Sequence, residues 1–489
     1  MNDTIAALST AFGEAAIALL RLSGPCSVEI AEAVFRSKKR VAELPARFAQ
    51  FGAICDGTQR LDDVLLTVFR APASYTGEDV VEISCHGGVL VSRRILEVLL
   101  RAGARSAEPG EFTQRAFLNG KLDLTQAEAV MDIIGAQTDL ALRAATEQLE
   151  GRLGARIREL RAAVLDTLAQ VEAYIDFPDE DISPETGAAL RVRIESALAD
   201  VEALLATAGQ GRVLREGLRT VIFGAPNVGK SSLLNRLLGY ERAIVSHHPG
   251  TTRDVLEETI NVRGIPVRLM DTAGIRDSSC ELEQAGMERT QRAIESADLV
   301  LNVADASGDA AMWRPMWSRP VAGSADGKAE AVGSRTTAHE NPAQDANTHP
   351  APTTGWPCIE PASRRPHIAL VLNKSDLGVH SSWQSRGGIA VSALTGDGFE
   401  KLLGAIVDAA LGGAAKSDWS MAINARHQSC LAAARDFLRA ALGAFDQSLS
   451  PEFIAEELRD AMNAIGDIVG RADTEELLGV IFGQFCIGK

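Results

Sequence analysis

One stretch governs what this chain can fold into. The apolar run Arg219-Thr-Val-Ile-Phe223 leads into Gly224-Ala-Pro-Asn-Val-Gly-Lys-Ser231, and Ser232–Leu238 then reads as a helix. A glycine-bounded loop between strand and helix that closes on Lys-Ser is the G-x-x-x-x-G-K-S pattern in the context it requires. The glycines let backbone N–H groups close around phosphates, and Lys230 can reach the outer phosphates. The Ser231 hydroxyl can bind Mg²⁺, and the helix N-terminus adds a positive dipole. A strand feeding a loop and then a helix calls for an open, mostly parallel α/β sheet.

Three further motifs follow in order. Asp271-Thr-Ala-Gly274 comes after the strand Val267–Met270; its Asp can hold the Mg²⁺ shell and Gly274 can donate N–H to a γ-phosphate. Asn373-Lys-Ser-Asp376 follows the strand Ile368–Leu372, and the Asp376 carboxylate can accept from guanine N1–H and N2–H₂. Adenine offers neither donor and would leave Asp376 unpaired, a strong basis for rejecting it. Ser392-Ala-Leu394 is placed to contact guanine O6 through backbone N–H. Between the first two motifs, Gly250-Thr-Thr-Arg-Asp254 supplies a Thr that would close over Mg²⁺ in the triphosphate state. The set predicts GTP binding and hydrolysis. After Asp-x-x-Gly, where Ras-like enzymes carry a water-orienting Gln, this chain has Ile275, which cannot hydrogen-bond to water. Glu281 and Glu283 are the nearby carboxylates, and Arg253 and Arg276 could stabilise transition-state charge.

At 489 residues the chain exceeds one hydrophobic core. Residues 1–119 read as an α/β domain, with strands at Ile17–Leu22, Val64–Phe69 and Val80–Ser84 and a helix over Val91–Ala102. From Leu124 to Tyr174, apolar residues recur at helical spacing through Ala129, Ile133, Leu140, Leu149, Leu153, Ile157, Leu160 and Val164. Asp176–Asp181 breaks the pattern, and a further helix runs from about Gly187 to Ala208. Strand–helix alternation continues to about Leu411, interrupted by Asp309–Pro366, whose composition reads as a disordered insertion. Helices return around Asn424–Leu442 and Glu452–Gly466. The expected division is 1–119, a discontinuous helical domain at 120–214 plus 413–489, and a G domain at 215–412. Seven cysteines form no C-x-x-C pair, which fits a reduced cytosol. The N-terminus lacks the pattern of a signal peptide, and Leu402–Val407 is far too short to span a membrane. A cytoplasmic location follows. Formal charge is −16, so a broad nucleic-acid-gripping surface is not expected. The basic clusters Arg36–Arg40, Arg152–Arg161 and Arg212–Arg219 read as solvated faces.

Taken with these motifs, Arg21-Leu-Ser-Gly24, Tyr75-Thr-Gly-Glu-Asp79, His86-Gly-Gly88, Pro109-Gly-Glu-Phe-Thr-Gln-Arg-Ala-Phe-Leu-Asn119, Lys121-Leu-Asp-Leu-Thr-Gln-Ala-Glu-Ala129, Asp176-Phe-Pro-Asp-Glu180 and Phe485-Cys-Ile-Gly-Lys489 make the chain resemble the bacterial tRNA-modification GTPase family MnmE, also called TrmE, nearly end to end. The resemblance implies an α/β multidomain fold: an N-terminal α/β folate-binding domain that dimerises, a central helical bundle, and an inserted Ras-like P-loop G domain with a mostly parallel sheet. It implies a guanine-nucleotide site of Asn227, Val228, Gly229, Lys230, Ser231, Ser232, Ser246, His247, His248, Pro249, Gly250, Thr251, Thr252, Asp271, Thr272, Ala273, Gly274, Asn373, Lys374, Asp376, Ser392, Ala393 and Leu394. Mg²⁺ would be held by Ser231 and Thr252. K⁺, which drives G-domain dimerisation in the family, would be held by Asn227, Ser246, the backbone of His248, and Thr251. The water-positioning glutamate falls on Glu283.

A tetrahydrofolate derivative, in its 5,10-methylene or 5-formyl form, would meet Arg21, Glu82, Lys121 and the Lys489 region. The resemblance also implies a homodimer joined by a flavoprotein partner into a heterotetramer, with FAD and NADH on the partner and tRNA as substrate. The product would be an aminomethyl-type group at C5 of the wobble uridine. Cys486 reads as structural or positioned near the folate. Two features depart from the family pattern: the Leu8–Ala15 segment and the 309–366 insertion. His247 and His248 read as packing residues, His339 and His349 as inert, and His86 as support for a turn. The alternative is a ribosome-assembly GTPase of the Era or Der type, but neither a KH-type G-x-x-G pattern nor a second phosphate loop is present in the sequence.

Overall fold

Alternation of apolar and polar residues sets the N-terminal sheet. The computed structural model describes residues 3–176, 184–240, 257–271, 292–310, 366–411, 422–470, 475–483 and 485–488. They fall into two compact units: Met1–Leu218 with Asn261–Val267 and Ala410–Lys489, and Arg219–Ile260 with Arg268–Ala409. The first unit begins with β1 (Ile5–Leu8), β2 (Ile17–Ser23), α1 (Ser27–Val34), β3 (Phe35–Arg36), β4 (Ala49–Asp56), β5 (Gln59–Phe69), β6 (Val80–His86), α2 (Val89–Arg101), β7 (Arg105–Ser106) and α3 (Glu111–Leu118). The sheet order is β3-β4-β5-β6-β2-β1-β7. In β2, Leu20 and Leu22 point into the core with Ile54, Leu66 and Ile83 of neighbouring strands and Ile95 and Leu99 of α2. Their alternates turn to the other face, where Arg21 stands opposite Glu82 in antiparallel register. β1 and β4 escape the sequence reading: Ile-Ala-Ala-Leu is short, and β4 carries Gly52, so local pattern does not announce either.

The helical segment is cut into α4 (Leu124–Gly135), α5 (Asp139–Leu149), α6 (Arg152–Asp176), α7 (Pro184–Ala206) and α8 (Ala208–Glu216). Asp123 and Gln126 form a reciprocal capping box at the start of α4, and Thr138 caps α5. The helix expected from about Gly187 to Ala208 is α7, and Thr207 parts it from α8, which the sequence reading did not separate out.

The second unit is built on β8 (Leu218–Gly224), α9 (Lys230–Tyr240), β9 (Glu257–Val262), β10 (Ile265–Asp271), β11 (Leu299–Asp305), β12 (His367–Asn373), β13 (Ile389–Ala390) and α10 (Phe399–Leu411), of which Leu218, Asn261–Val267 and the last residues of α10 fall in the first unit. Its sheet runs β13-β12-β11-β8-β10-β9, with β8, β11, β12 and β13 parallel. Parallel strands are buried on both faces, and β11 is buried at Leu299 through Ala304. The loops that follow β8 and β12 therefore emerge at the same sheet edge, the carboxyl ends where such folds bind ligands.

The chain then returns to the first unit as α11 (Ala425–Asp446), α12 (Pro451–Val469) and α13 (Glu475–Phe482). Leu153, Ile157, Leu160 and Val164 of α6 pack with Ile194 and Val201 of α7, Leu431 and Leu438 of α11, and Leu458 and Ile465 of α12. Leu153, Ile157, Leu160 and Val164 of the period read from the sequence thus form a buried stripe of this bundle, whereas Ala129, Ile133, Leu140 and Leu149 lie outside it. Beyond α13, residues 485–488 lie on the N-terminal part: Ile487 bridges Pro109, and Ser9 Oγ donates to the Gly488 carbonyl at 3.1 Å. Among the described residues, no helix is long and apolar enough to cross a membrane.

Candidate nucleotide site

The loop from Gly224 to Ser231 is shaped by residues that a side chain would obstruct. A Cβ on Gly224 would sit 2.2 Å from the Val303 carbonyl of the adjacent strand, and one on Gly229, whose φ is +90°, would sit 2.3 Å from Asn373 Nδ2. Asn227 takes a left-handed φ of +61°, a conformation Asn tolerates better than most residues, and is exposed on the rim. Val228 is buried beneath it. Lys230 Nζ donates to the Ala225 carbonyl at 2.8 Å, so its ammonium lies inside the loop. Ser231 and Ser232 are exposed in the first turn of α9, where free backbone N–H groups favour anions.

The base end is assembled around a buried amide. Asn373 ends β12, and its Nδ2 donates to the Val228 carbonyl at 2.9 Å while its Oδ1 accepts from Ala393 N at 3.0 Å. One side chain thereby holds the phosphate loop and the Ser392–Leu394 loop together. Ser392, fully buried, donates its hydroxyl to Asp376 Oδ1 at 2.6 Å, which fixes the carboxylate and leaves it exposed lone pairs. Lys374, at a left-handed φ of +64°, bonds Asp305 Oδ2 at 2.7 Å. Burial alone would raise the Asp305 carboxyl, but the hydrogen bonds from Lys374 and Ser307, with the Lys374 charge, together hold the group below its ordinary value.

Two residues of this frame carry no signal in the sequence. Arg236 of α9 donates to the carbonyls of Ala393 at 3.3 Å, Leu394 at 2.9 Å and Thr395 at 2.9 Å, and its guanidinium lies 5.6 Å from the Phe399 ring centroid. Asp305 is the anchor for Lys374. Both act over long sequence separations, and no local motif marks them.

Asn227, Val228, Gly229, Lys230, Ser231, Ser232, Asn373, Lys374, Asp376, Ser392, Ala393 and Leu394 are described, together with the backbone of Asp271 at the end of β10. Ser246, His247, His248, Pro249, Gly250, Thr251, Thr252, Thr272, Ala273, Gly274, Ile275, Glu281, Glu283 and Lys489 lie outside the described residues, as do Arg253, Arg276 and 311–365 of the insertion.

A second constellation lies on the N-terminal sheet. Arg21 donates Nε and Nη2 to Glu82 Oε1 at 3.0 and 2.8 Å. Its guanidinium sits 5.4 Å from the Tyr75 ring centroid and 5.7 Å from that of Phe112. Burial pushes the Tyr75 phenol up from its ordinary value. Lys121 Nζ donates to the Pro72 carbonyl at 3.0 Å, and Asn119 Nδ2 to the Thr76 carbonyl at 2.7 Å, so the segment after α3 is tied to the turn that carries Tyr75. His86, read as support for a turn, instead ends β6, where its backbone N–H and Nδ1 meet Asp62 of β5 at 2.8 and 2.7 Å. The cluster Arg212–Arg219 is not a solvated face. Arg215 is held by Asp132 at 2.7 Å and the Ile423 carbonyl at 3.0 Å, and Arg219 by Asp298 at 3.3 Å.

Residues 124–486 match the family model of the MnmE helical domain, and residues 4–121 that of the GTP-binding protein TrmE N-terminus. The chain is 47% identical over 496 residues to the tRNA modification GTPase MnmE of Akkermansia muciniphila, with 99% of each chain covered. It is 42% identical to the protein of the same name from Geobacillus kaustophilus, over 100% of this chain and 99% of that one. With the same name in Aquifex aeolicus it shares 40% identity over the full length of both. Motif order, fold and end-to-end similarity agree: the chain belongs to the tRNA modification GTPase MnmE family.

Proposed function

We propose that this GTPase, working with a flavoprotein partner that carries FAD and uses NADH, installs an aminomethyl or carboxymethylaminomethyl group at C5 of the wobble uridine of certain tRNAs. The one-carbon unit would come from a methylene-tetrahydrofolate. The observation that carries the nucleotide half is the clamp at Asn373, which holds the phosphate loop and the guanine loop in one frame. In that frame Asp376 accepts from the guanine edge while Ser392 holds it in place. Gly229 leaves room for the Asn373 carboxamide that a side chain would displace, and Lys230 neutralises the outer phosphates.

The donor set suits hard cations: Ser231 and Thr252 would hold Mg²⁺, and Asn227, Ser246, the His248 carbonyl and Thr251 would hold K⁺. When bound, these ions neutralise charge on the phosphate oxygens. Ile275 cannot orient water, so Glu283 takes that task, and K⁺-dependent pairing of G domains excludes bulk solvent from it. On the N-terminal sheet, Arg21, braced by Glu82 and packed over the buried Phe112 ring, offers a cation beside the half-buried Tyr75 ring. That chemistry fits a pterin with a glutamate tail, and Lys121 and Lys489 would complete it. The protein acts as a homodimer within a heterotetramer.

Nucleoside mass spectrometry of tRNA from a deletion strain, with and without the restored chain, tests the proposal. Wobble uridines lose the C5 group in the deletion and regain it on complementation; unchanged wobble uridines in the deletion strain refute it.

A further inference from the structure

The chain's three basic clusters meet different fates in a molecule of formal charge −16. In the second, Arg152 pairs with Glu147 at 3.4 Å, Arg156 with Asp200 at 2.7 Å and Arg158 with Asp123 at 2.9 Å. In the third, Arg215 pairs with Asp132 and Arg219 with Asp298, at 2.7 and 3.3 Å. These charges are answered within the protein. Among the described residues, the first cluster is answered only at Arg40. Residues 36–47, between β3 and β4, carry Arg36, Lys38, Lys39, Arg40 and Arg47 against a single acid, Glu43. Among the described residues, the one carboxylate within ion-pair reach is Glu32, 3.6 Å from an Arg40 side chain that is 70% exposed.

The loop is nonetheless firmly held. Glu32 accepts from Val41 N at 2.5 Å. Arg36 donates to the last carbonyls of α1, Glu32 and Ala33, at 3.3 and 3.0 Å. Arg70 donates to the Ala42 carbonyl at 3.2 Å, and Arg47 to the Ala73 carbonyl at 3.3 Å. All of these bonds are to backbone or cap it, so they fix the loop without cancelling its charge. Ala73 adjoins Pro72, whose carbonyl receives Lys121.

We propose that the 36–47 loop is the surface with which this chain grips the phosphate backbone of RNA. The inference rests on the tRNA reading above and adds where the chain meets the nucleic acid. Affinity for a polyphosphate comes from counterion release, which needs cations not already paired with carboxylates. Among the described residues, Lys38 and Lys39 meet that need; Arg152, Arg156 and Arg215 do not. A loop already fastened loses little conformational entropy on binding. Lysine is depleted in protein–protein interfaces, which favours phosphate over an acidic protein as occupant.

The test is fluorescence anisotropy of the full chain with a labelled, unmodified tRNA transcript across a KCl series, comparing wild type, K38A/K39A and K38R/K39R. Basal GTP hydrolysis and melting temperature serve as controls for folding. Wild type binds with an affinity that falls steeply with salt. K38A/K39A binds severalfold more weakly, and its log–log salt slope is shallower by about two, roughly one for each phosphate no longer neutralised; K38R/K39R restores both. An unchanged affinity and slope in a folded K38A/K39A overturns the loop assignment and leaves the tRNA reading intact. Absence of tRNA binding by wild type at low salt overturns both. If K38A/K39A keeps its tRNA affinity but loses the flavoprotein partner in pull-down, the loop is a protein-docking surface and the assignment falls.

Discussion

Asn373 donates its side-chain N–H to the Val228 carbonyl at 2.9 Å, fastening the end of β12 to the phosphate loop. Asn373 is almost wholly buried, and its carboxamide has both ends engaged. Replacing it by Ala leaves the buried Val228 carbonyl without its partner, at about 1–3 kcal/mol, and frees the half-buried Ala393 N–H. Asn373→Ala therefore lowers affinity for a fluorescent GDP analogue by about tenfold or more, mostly through faster release. An unchanged dissociation rate in stopped flow counts against the clamp.

Asp376 decides the base. Asp376→Asn keeps an oxygen to accept from Ser392 Oγ but presents N–H₂ to the base edge. The variant therefore discriminates against guanine and favours xanthine, whose C2 bears an oxygen. The GDP-to-XDP affinity ratio shifts by about 100-fold or more, in line with the cost of unpaired polar groups in a recognition site. Isothermal titration with both nucleotides reads it directly, and a ratio unmoved from wild type removes Asp376 from base recognition.

Arg236 positions the guanine loop through three carbonyls. Arg236→Ala should weaken GDP binding severalfold while leaving residual ADP binding untouched, because ADP draws nothing from the O6-facing N–H groups. Arg236→Lys recovers only part of the loss, since an ammonium lacks the planar fork. Equal losses for GDP and ADP would make Arg236 a general stability residue instead.

Hydrolysis is expected to run several-fold faster in K⁺ than in Na⁺, and Glu283→Ala to retain GTP binding while losing most turnover. Phosphate-release assays in the two salts, paired with nucleotide binding, check both. Equal rates in K⁺ and Na⁺ remove K⁺-dependent dimerisation, and normal turnover in Glu283→Ala moves the water-positioning role to another residue such as Glu281.

A buried pair in the helical part gives a pH dependence. His427, fully buried, lies 2.7 Å from Glu128, which Arg426 also holds at 2.8 Å. Asn424 N donates to His427 Nδ1 at 3.3 Å, so Nε2 carries the proton that faces Glu128. Burial pushes His427 down from 6.5, outweighing the pull of Glu128. Burial would raise Glu128 from 4.5, but the hydrogen bonds and charges of His427 and Arg426 hold it well below. Both shifts make the unfolded chain the better proton acceptor in acid, so stability falls as pH drops below about 6.5 for His427 and about 4.5 for Glu128. Calorimetry of wild type against His427→Gln should show a smaller fall in Tm from pH 7.5 to 5.5 in the variant. Parallel pH profiles refute the assignment to His427.

The strand, loop and helix around Gly224–Ser231 are legible in the sequence because a phosphate loop is local: its glycines, lysine and serine stand at fixed spacing. The stripe of Leu153, Ile157, Leu160 and Val164 is legible for the same reason, since helical periodicity is written in consecutive turns. Asp376 and Ser392 can be named from motif order, but the hydrogen bond between them, across 16 residues, cannot.

By itself, the sequence determined the identity of the nucleotide, the order of its motifs and the helical texture of the flanks. Only the tertiary structure decided that Asn373 joins two loops, that Arg236 holds the guanine loop from α9, and that residues 485–488 return to Ser9 and Pro109. It also separated the basic clusters: Arg215 and Arg219 are paired, while among the described residues no carboxylate answers Lys38 or Lys39. The reason is physical. Local spacing fixes backbone conformation and the chemistry of a side chain. Whether a charge is neutralised or a loop is braced depends on groups that folding brings together from distant parts of the chain.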